Sequence, residues 1–364
     1  MVAVANFLIN HTAFMNPKGE ALQPLPGFAR DSAALLAMYR AMVLTRLFDR
    51  KAIALQRTGQ LGTFASALGQ EAIGVGLASA MHPDDVLLPS YRDHAAQLVR
   101  GVSMTEILLY WGGDERGNDF AGPRHDFPNC IPIASQASHA AGVAYACKLR
   151  REPRVAVCML GDGATSKGDF YEGMNLAGVW QAPLVFIISN NQWAISLPRS
   201  AQSAAPTLAQ KAIAAGIEGQ QVDGNDVIAV RHVAQQALDK ARRGDGPTVI
   251  EAISYRLSDH TTADDATRYR DAGAVQQQWM LEPILRLRNY LVSIEAWDKD
   301  QEQRLHNECA ALVEQAVEAF QATPAPSADA MFDHLYAALP RALWSQRTMA
   351  LSWSGASPSG GTRG

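Results

Sequence analysis

Two short apolar runs stand out in the middle of the chain. They cover residues 155–160 and 184–189 and are rich in Val, Ile and Leu. Continuous apolar runs of this length are typical of strands that are buried on both faces of a parallel sheet. A segment of helical length, residues 168–179, lies between them and is closed by Pro183. The pattern therefore predicts a strand–helix–strand unit.

The hydrophobic pattern predicts further elements on both sides of this unit. Asp31 or Ser32 is suited to cap a long helix that ends near Thr58. Additional strands are predicted over residues 86–88 and 248–254. Additional helices are predicted over residues 69–81, 137–149, 208–215 and 227–243 and through most of 272–339. We expect an α/β protein with a mainly parallel central sheet flanked by helices and a helical C-terminal part.

Prolines and polar runs set the expected domain limits. Residues 1–30 contain three prolines and show little periodicity, so they are expected to form an irregular N-terminal arm that lies on a partner. Residues 31–340 are expected to form one domain that includes the C-terminal helices. Residues 341–364 become rich in Ser and Gly and are expected to form a flexible tail.

Composition excludes several classes of protein. The 364 residues carry a formal net charge of −4, which gives no electrostatic footprint for nucleic acid. No apolar run approaches the roughly 20 residues that span a bilayer, and the first residues lack a basic signal-peptide region. The four cysteines form no C-x-x-C pair, which favours a reducing compartment and a cytoplasmic protein. Motifs of P-loop hydrolases, zinc proteases and serine esterases are absent.

Polar residues follow both apolar runs. Asp162 lies in a Gly-Asp-Gly after the first, and Asn191 lies in an Asn-Asn after the second, 191 − 162 = 29 positions later. The carboxyl ends of parallel strands meet at the ligand-binding edge of a sheet. Carboxylate and amide oxygens suit Mg²⁺, which shares its ligands with phosphates. Gly161 and Gly163 allow close approach of backbone to a diphosphate, so the sequence predicts a magnesium–diphosphate site.

Three other candidates stay open on residue chemistry alone. Arg92 follows Tyr91 just after the predicted strand 86–88, where a guanidinium would match phosphate oxygens, although this pair alone favours a surface arginine beside a core tyrosine. His125 lies in a polar loop, either at a site or simply solvated. His260 lies in a polar stretch after the last strand and suits acid–base chemistry. It could equally serve to order that stretch through Asp264 or Asp265.

Several blocks together resemble a known family. They are YRDH, IASQ, GDGATSKGDFYEG, NNQWAIS and YRLSDHTTADDATRYR. They are similar to the alpha subunit of the thiamine-diphosphate-dependent, decarboxylating component of 2-oxo acid dehydrogenase complexes. The likeness covers roughly residues 31–340 and implies a thiamine-diphosphate-binding fold. It also implies oxidative decarboxylation of a 2-oxo acid and reductive acylation of a lipoyl group, with thiamine diphosphate and Mg²⁺ as cofactors.

The resemblance assigns roles to individual residues. Asp162, Asn191 and the backbone carbonyl of Trp193 match the magnesium ligands. His260 matches the active-site histidine. The remaining cofactor contacts implied are Gly163 and Ala164 as a backbone cradle for the diphosphate, Tyr91, Arg92 and Arg256 as diphosphate contacts, and Ile133 against the aminopyrimidine. Tyr269 and Arg270 match the end of the catalytic loop.

Some positions depart from the family pattern or vary within it. Asp259 precedes His260 where the family often has Gly or Pro, and it is expected to raise the pKa of His260. Thr261 stands where animal members carry a regulatory serine. Ser135 and Gln136 match positions that bind a monovalent cation in branched-chain relatives.

The resemblance also implies partners. No stretch matches the segment that supplies the glutamate for the aminopyrimidine, which in this family comes from a beta subunit. We therefore expect an α2β2 heterotetramer that serves the lipoyl domain of a dihydrolipoyl acyltransferase, and an inactive isolated chain. The blocks TLAQKAIAAGI and GDFYEG favour pyruvate as the small 2-oxo acid substrate, whereas NNQWAIS and VDGNDV also occur in branched-chain members. A non-catalytic scaffold subunit and a single-chain decarboxylase are rival hypotheses.

Overall fold

A computed structural model describes residues 4–333 and 335–354 of the chain. The chain divides into one compact unit that ends at Val317 and a second that begins at Glu318. The sequence placed the corresponding boundary later, at residue 340. The first unit contains the sheet, and we describe the two units separately.

A six-stranded, fully parallel sheet forms the centre of the first unit. Its strands, in spatial order, are β1 (His11–Thr12), β7 (Glu218–Asp223), β8 (Thr248–Ile253), β4 (Leu184–Asn190), β3 (Ala156–Gly161) and β2 (Val86–Leu88). Two further short strands, β5 (Trp193–Ala194) and β6 (Leu197–Pro198), form a small antiparallel hairpin. The sheet confirms the predicted α/β class.

Helices cover both faces of the sheet. Those of the first unit are α1 (Ser32–Arg57), α2 (Glu71–Ala78), α3 (His94–Arg100), α4 (Met104–Trp111), α5 (Ser135–Arg150), α6 (Gly168–Trp180), α7 (Arg199–Gln202), α8 (Lys211–Ala214), α9 (Val227–Arg242), α10 (Ala272–Trp279) and α11 (Pro283–Ser293). α12 (Lys299–Ala322) begins in the first unit and ends in the second. The predicted long helix is α1, and Asp31 caps it by accepting a hydrogen bond from the Ala33 amide.

The alternation of side chains along β3 and β4 explains why both runs are apolar throughout. Val157 and Val185 point into a core shared with α1, α2, α9 and α11. Cys158 and Phe186 point into a second core shared with α5 and α6. Because each strand is buried on both faces, every position along it favours an apolar residue.

The predicted strand–helix–strand unit is β3, α6 and β4. The two strands are hydrogen-bonded neighbours, and Gly161 at the end of β3 pairs with Ser189 near the end of β4. Asp162 begins a short 3₁₀ helix, Asp162–Ser166, directly after β3. Asn191 follows β4 directly. The register therefore places both polar motifs at the same edge of the sheet, as predicted.

The N-terminal arm is not irregular throughout, and this part of the prediction is corrected. Residues 11–12 form β1, which pairs with β7 of the same chain. Phe14 and Met15 are buried, and both of their amides donate to Asp226 Oδ2 at 2.7 and 2.8 Å. The arm thus completes the chain's own sheet. β7 is not among the strands predicted from the sequence, because most of its residues are polar.

The second unit is helical where it is described. It contains the end of α12, then α13 (Ala330–Asp333) and α14 (Arg341–Ser354). A flexible tail from residue 341 was predicted, but residues 341–354 form a helix. The last ten positions, 355–364, lie outside the described residues.

No helix in the described ranges is both long and apolar enough to cross a membrane.

Candidate active site

A cavity of about 610 Å³ opens at the carboxyl ends of β3 and β4. Its volume lies within the roughly 300–1,000 Å³ of small-molecule and cofactor sites. Nine of the ten predicted site residues line it: Tyr91, Arg92, Ile133, Asp162, Gly163, Ala164, Asn191, Trp193 and His260. The tenth, Arg256, is fully buried and contacts His260. His125 is exposed and does not line this cavity.

Asp162 and Asn191 present buried oxygens to this cavity. They are only 2% and 6% exposed. Asp162 Oδ2 accepts a hydrogen bond from Gln202 Nε2 at 2.8 Å. Burial raises the pKa of Asp162, and the hydrogen bond from Gln202 opposes that rise. A carboxylate with a raised pKa gains from a nearby cation, so the pair suits a hard metal ion.

The backbone around Gly163 is tightly confined. A Cβ at this position would lie 2.7 Å from the Cβ of Ala194 in β5, so a side chain cannot be accommodated without a shift. The turn Asp162–Ser166 therefore packs against the β5–β6 hairpin with no space for a side chain at Gly163. Together with Arg92 and the buried oxygens of Asp162 and Asn191, this arrangement fits a diphosphate bound through a divalent cation.

Two arginines hold the ring of His260. Arg92 Nη2 lies 3.2 Å from His260 Nδ1 and also donates to the His260 carbonyl at 2.8 Å. Arg256 Nη1 lies 3.4 Å from the same Nδ1. Because guanidinium groups only donate, Nδ1 is the acceptor and the imidazole proton is on Nε2. The ring of Tyr91 meets that of His260 edge-on at 6.3 Å.

This environment keeps His260 neutral. Burial, followed by the charges of Arg92 and Arg256, lowers its pKa to about 4. The sequence-based expectation that Asp259 raises this pKa is wrong. Asp259 Oδ1 accepts from the Ala266 amide at 2.9 Å, which uses the carboxylate to order the loop. Burial also lowers the pKa of Arg256 to about 10.

The loop after β8 is ordered by its own polar side chains. The backbone amide of His260, not its ring, donates to Asp264 Oδ2 at 2.8 Å. The Tyr269 hydroxyl also donates to Asp264, and it accepts from Arg256 Nη2 at 2.7 Å. Arg270 Nη2 donates to the Ser258 carbonyl at 2.8 Å. Asp264 therefore orders the loop through the backbone of His260, and the ring of His260 remains available to line the cavity.

The sequence did not reveal the glutamines that contact the two candidate metal ligands. Gln70 accepts from Asn191 Nδ2 at 2.6 Å, and Gln202 donates to Asp162. No spacing rule links these residues, because Gln70 and Asn191 are 121 positions apart. Gln136 lines the cavity and donates to the Met159 carbonyl at 2.9 Å, whereas Ser135 Oγ donates to the Pro132 carbonyl at 2.8 Å.

Comparison with known proteins gives the same family as the sequence blocks. Residues 39–329 match the family model described as dehydrogenase E1 component. The alpha subunit of a 3-methyl-2-oxobutanoate dehydrogenase from Mycobacterium tuberculosis is 41% identical over 310 residues, which are 85% of this chain and 84% of that protein. The alpha subunit of a pyruvate dehydrogenase E1 component from Staphylococcus aureus is 40% identical over 313 residues, 86% and 85% of the two chains.

A third relative is the pyruvate dehydrogenase E1 alpha subunit of Acholeplasma laidlawii, which is 42% identical over 275 residues, 75% of this chain and 80% of that protein. Relatives named for pyruvate and for a branched-chain acid are thus about equally similar. The family match covers most of the chain, and membership implies dependence on thiamine diphosphate. The chain belongs to the dehydrogenase E1 component family, as an alpha subunit of a 2-oxo acid dehydrogenase.

Proposed function

We propose that this chain is the alpha subunit of an acetyl-transferring pyruvate dehydrogenase. It would take part in the oxidative decarboxylation of pyruvate and the reductive acetylation of a lipoyl group. The observation that carries the proposal is the convergence of predicted metal, diphosphate and catalytic residues on one cavity at the sheet edge. These residues come from segments as distant as Tyr91 and His260 in the sequence.

Magnesium and thiamine diphosphate would be held by residues of this cavity. Asp162, Asn191 and the Trp193 carbonyl would bind Mg²⁺. The turn from Gly163, together with Arg92, would bind the diphosphate. Ile133, which is 40% exposed and lines the cavity, would meet the aminopyrimidine. The bound cofactor supplies the electron sink that a 2-oxo acid needs to lose carbon dioxide.

His260 would handle a proton at Nε2. Its ring is neutral at pH 7 and carries its proton on the nitrogen that the arginines leave free. A neutral imidazole can donate a hydrogen bond from Nε2 to a developing negative charge without adding a second positive charge to the site. We assign to it the stabilisation of charged intermediates and the proton transfers that accompany lipoyl acylation.

Partners would complete the site. A beta subunit in an α2β2 heterotetramer would supply the glutamate that binds the aminopyrimidine of the cofactor. The lipoyl domain of a dihydrolipoyl acyltransferase would accept the acyl group. The cavity opens beside exposed apolar side chains, Ile131 and Ile195, which are 52% and 57% exposed. Apolar side chains at a site entrance suit contact with another protein. Activity of the purified chain without a beta subunit would contradict this assembly. A cytoplasmic location is part of the same proposal.

The substrate is tested by reconstitution. The complex of this chain with its co-expressed beta subunit and acyltransferase is expected to turn over pyruvate faster than 3-methyl-2-oxobutanoate. The opposite order would assign the chain to the branched-chain dehydrogenases, a second candidate that the 41% identical relative supports. A non-catalytic scaffold role is disfavoured by the complete set of candidate ligands, and it predicts no turnover of either acid by the complex.

A further inference from the structure

Asn191 differs from Asp162 in one respect that matters for a metal ion. A carboxylate offers two oxygens, whereas a carboxamide offers one oxygen and one nitrogen that cannot ligate a cation. Asn191 is only 6% exposed, so water cannot supply hydrogen bonds to its amide if Nδ2, instead of Oδ1, faces the cation. Something in the protein must therefore keep Oδ1 on the side of the cation.

Two contacts fix the orientation of this amide. Asn191 Nδ2 donates to Gln70 Oε1 at 2.6 Å, and Asn191 Oδ1 accepts from the Trp193 amide at 3.1 Å. The amide of Trp193 uses one lone pair of Oδ1 and leaves the other for a cation. Gln70 gives the buried Nδ2 its acceptor, without which that N–H would be left unpaired away from water.

Gln70 is itself held rigidly. Gln70 is 5% exposed and lies just before α2 begins. Its backbone amide donates to the Ala67 carbonyl at 2.9 Å. Gly69 precedes it with φ of +91°, and a Cβ there would lie 2.3 Å from the Tyr255 carbonyl oxygen. Glu71 follows it and accepts from the Gly69 amide at 3.0 Å and from Arg46 Nε at 2.8 Å.

We propose that Gln70 is a positioning residue that fixes the amide of Asn191 with its oxygen toward the divalent cation. The inference rests on the proposed function, because it presupposes that Asn191 binds Mg²⁺. Gln70 would set metal affinity, and through it cofactor affinity, by contacting a ligand of the metal. Partners of metal ligands typically change metal affinity by about 10–100-fold when they are replaced.

The first test measures Mg²⁺ affinity in the complex with the beta subunit, stripped of metal and cofactor. Mg²⁺ is titrated calorimetrically at a fixed concentration of thiamine diphosphate. Gln70→Met, which removes the acceptor at similar volume, is expected to weaken Mg²⁺ binding by about 10–100-fold. Gln70→Glu keeps an acceptor oxygen and is expected to bind Mg²⁺ about as well as the native complex. If Gln70→Met does not fold, Gln70→Leu replaces it.

A matched control separates positioning from general loss of packing. Gln97 forms another buried amide pair, with its Nε2 donating to Asn129 Oδ1 at 3.2 Å. Gln97→Met is expected to lower the melting temperature and leave Mg²⁺ affinity unchanged.

The decisive comparison repeats Gln70→Met in an Asn191→Asp background. An Asp carboxylate has no amide to orient, so the loss of Mg²⁺ affinity caused by Gln70→Met should largely disappear. An equal loss in both backgrounds, or no loss in the native background, would overturn the inference. If the native complex itself shows no magnesium-dependent cofactor binding, the proposed function fails first, and the two failures are thereby distinguished.

Discussion

At the scale of single residues, two arginines face the imidazole of His260 and affect its protonation. Arg92 and Arg256 approach Nδ1 of His260 to 3.2 and 3.4 Å. Burial, followed by the charges of these two arginines, lowers the pKa of His260 to about 4. The family resemblance implies that both arginines contact the diphosphate of the cofactor. A bound diphosphate would add negative charge beside the ring and oppose this lowering. The protonation of His260 would thus be linked to cofactor binding.

Replacing Arg92 by Gln is expected to raise the pKa of His260 from about 4 toward its ordinary 6.5. The cause is the loss of a positive charge 3.2 Å from the ring nitrogen. Proton NMR of the histidine ring signals over a pH range measures the change, with His260→Gln identifying the signal. Arg124→Gln serves as control, because Arg124 is exposed and pairs with Asp119. An unchanged His260 pKa in Arg92→Gln would contradict the electrostatic account.

The same shift predicts how stability depends on pH. The folded-state pKa of His260 lies below the ordinary 6.5, so protons bind preferentially to the unfolded chain. The stabilisation linked to a neutral His260 is complete above about pH 6.5 and is lost as the pH falls toward 4. Denaturant unfolding at pH 7 and pH 4.5 is expected to show a smaller acid-induced loss in His260→Gln than in the native chain. Equal losses would contradict the linkage.

A His260→Ala variant tests the role of the ring in the reaction. Because the metal and diphosphate groups remain, it is expected to bind thiamine diphosphate nearly normally while losing acylation of the lipoyl domain. His125→Ala, in an exposed loop, is the matched control. Lipoyl acylation at the native rate in His260→Ala would remove this histidine from the mechanism.

At the scale of elements, one buried carboxylate joins a helix and the N-terminal arm. Asp226 Oδ1 caps α9 by accepting from the Ile228 and Ala229 amides at 3.0 and 3.1 Å. Its Oδ2 accepts the two arm amides of Phe14 and Met15. Asp226 stands directly before the predicted helix 227–243, so its role as a cap follows from the local sequence. The attachment of the arm does not, because the partners lie more than two hundred residues apart.

An Asp226→Ala variant is expected to lower stability by about 2–4 kcal/mol, since a lost cap costs about 1 kcal/mol and buried unpaired amides add to it. The arm should also become sensitive to protease near Phe14. Denaturant unfolding and limited proteolysis measure the two effects. Asp271→Ala is the control, because Asp271 caps α10 at an exposed position through the Ala274 amide alone. Equal effects of the two variants would contradict the attachment of the arm by Asp226.

At the scale of the whole molecule, the sequence predicts those elements whose position depends on the local hydrophobic pattern. β3 and β4 were predicted within a residue or two because both faces are buried, which makes every position apolar. β7 was missed because its sequence, EGQQVD, is polar and only Val222 is buried. β1 contains two residues, too few for any periodicity.

The candidate site follows the same division. The position of Asp162 and Asn191 at the cavity could be predicted, because both follow apolar strands and neighbouring parallel strands end at one edge of the sheet. Gln70 and Gln202 could not, because their roles depend on contacts between distant segments. The pKa of His260 was predicted in the wrong direction, since it depends on burial and on two arginines that only folding brings close.

The central claim is that Asp162 and Asn191 bind one divalent cation that carries a diphosphate. Calorimetric titration of thiamine diphosphate into the metal-free complex, with and without Mg²⁺, tests it most directly. The native complex is expected to bind the cofactor tightly only with Mg²⁺, and Asp162→Ala is expected to lose that response. Magnesium-dependent binding that persists unchanged in Asp162→Ala would contradict the claim.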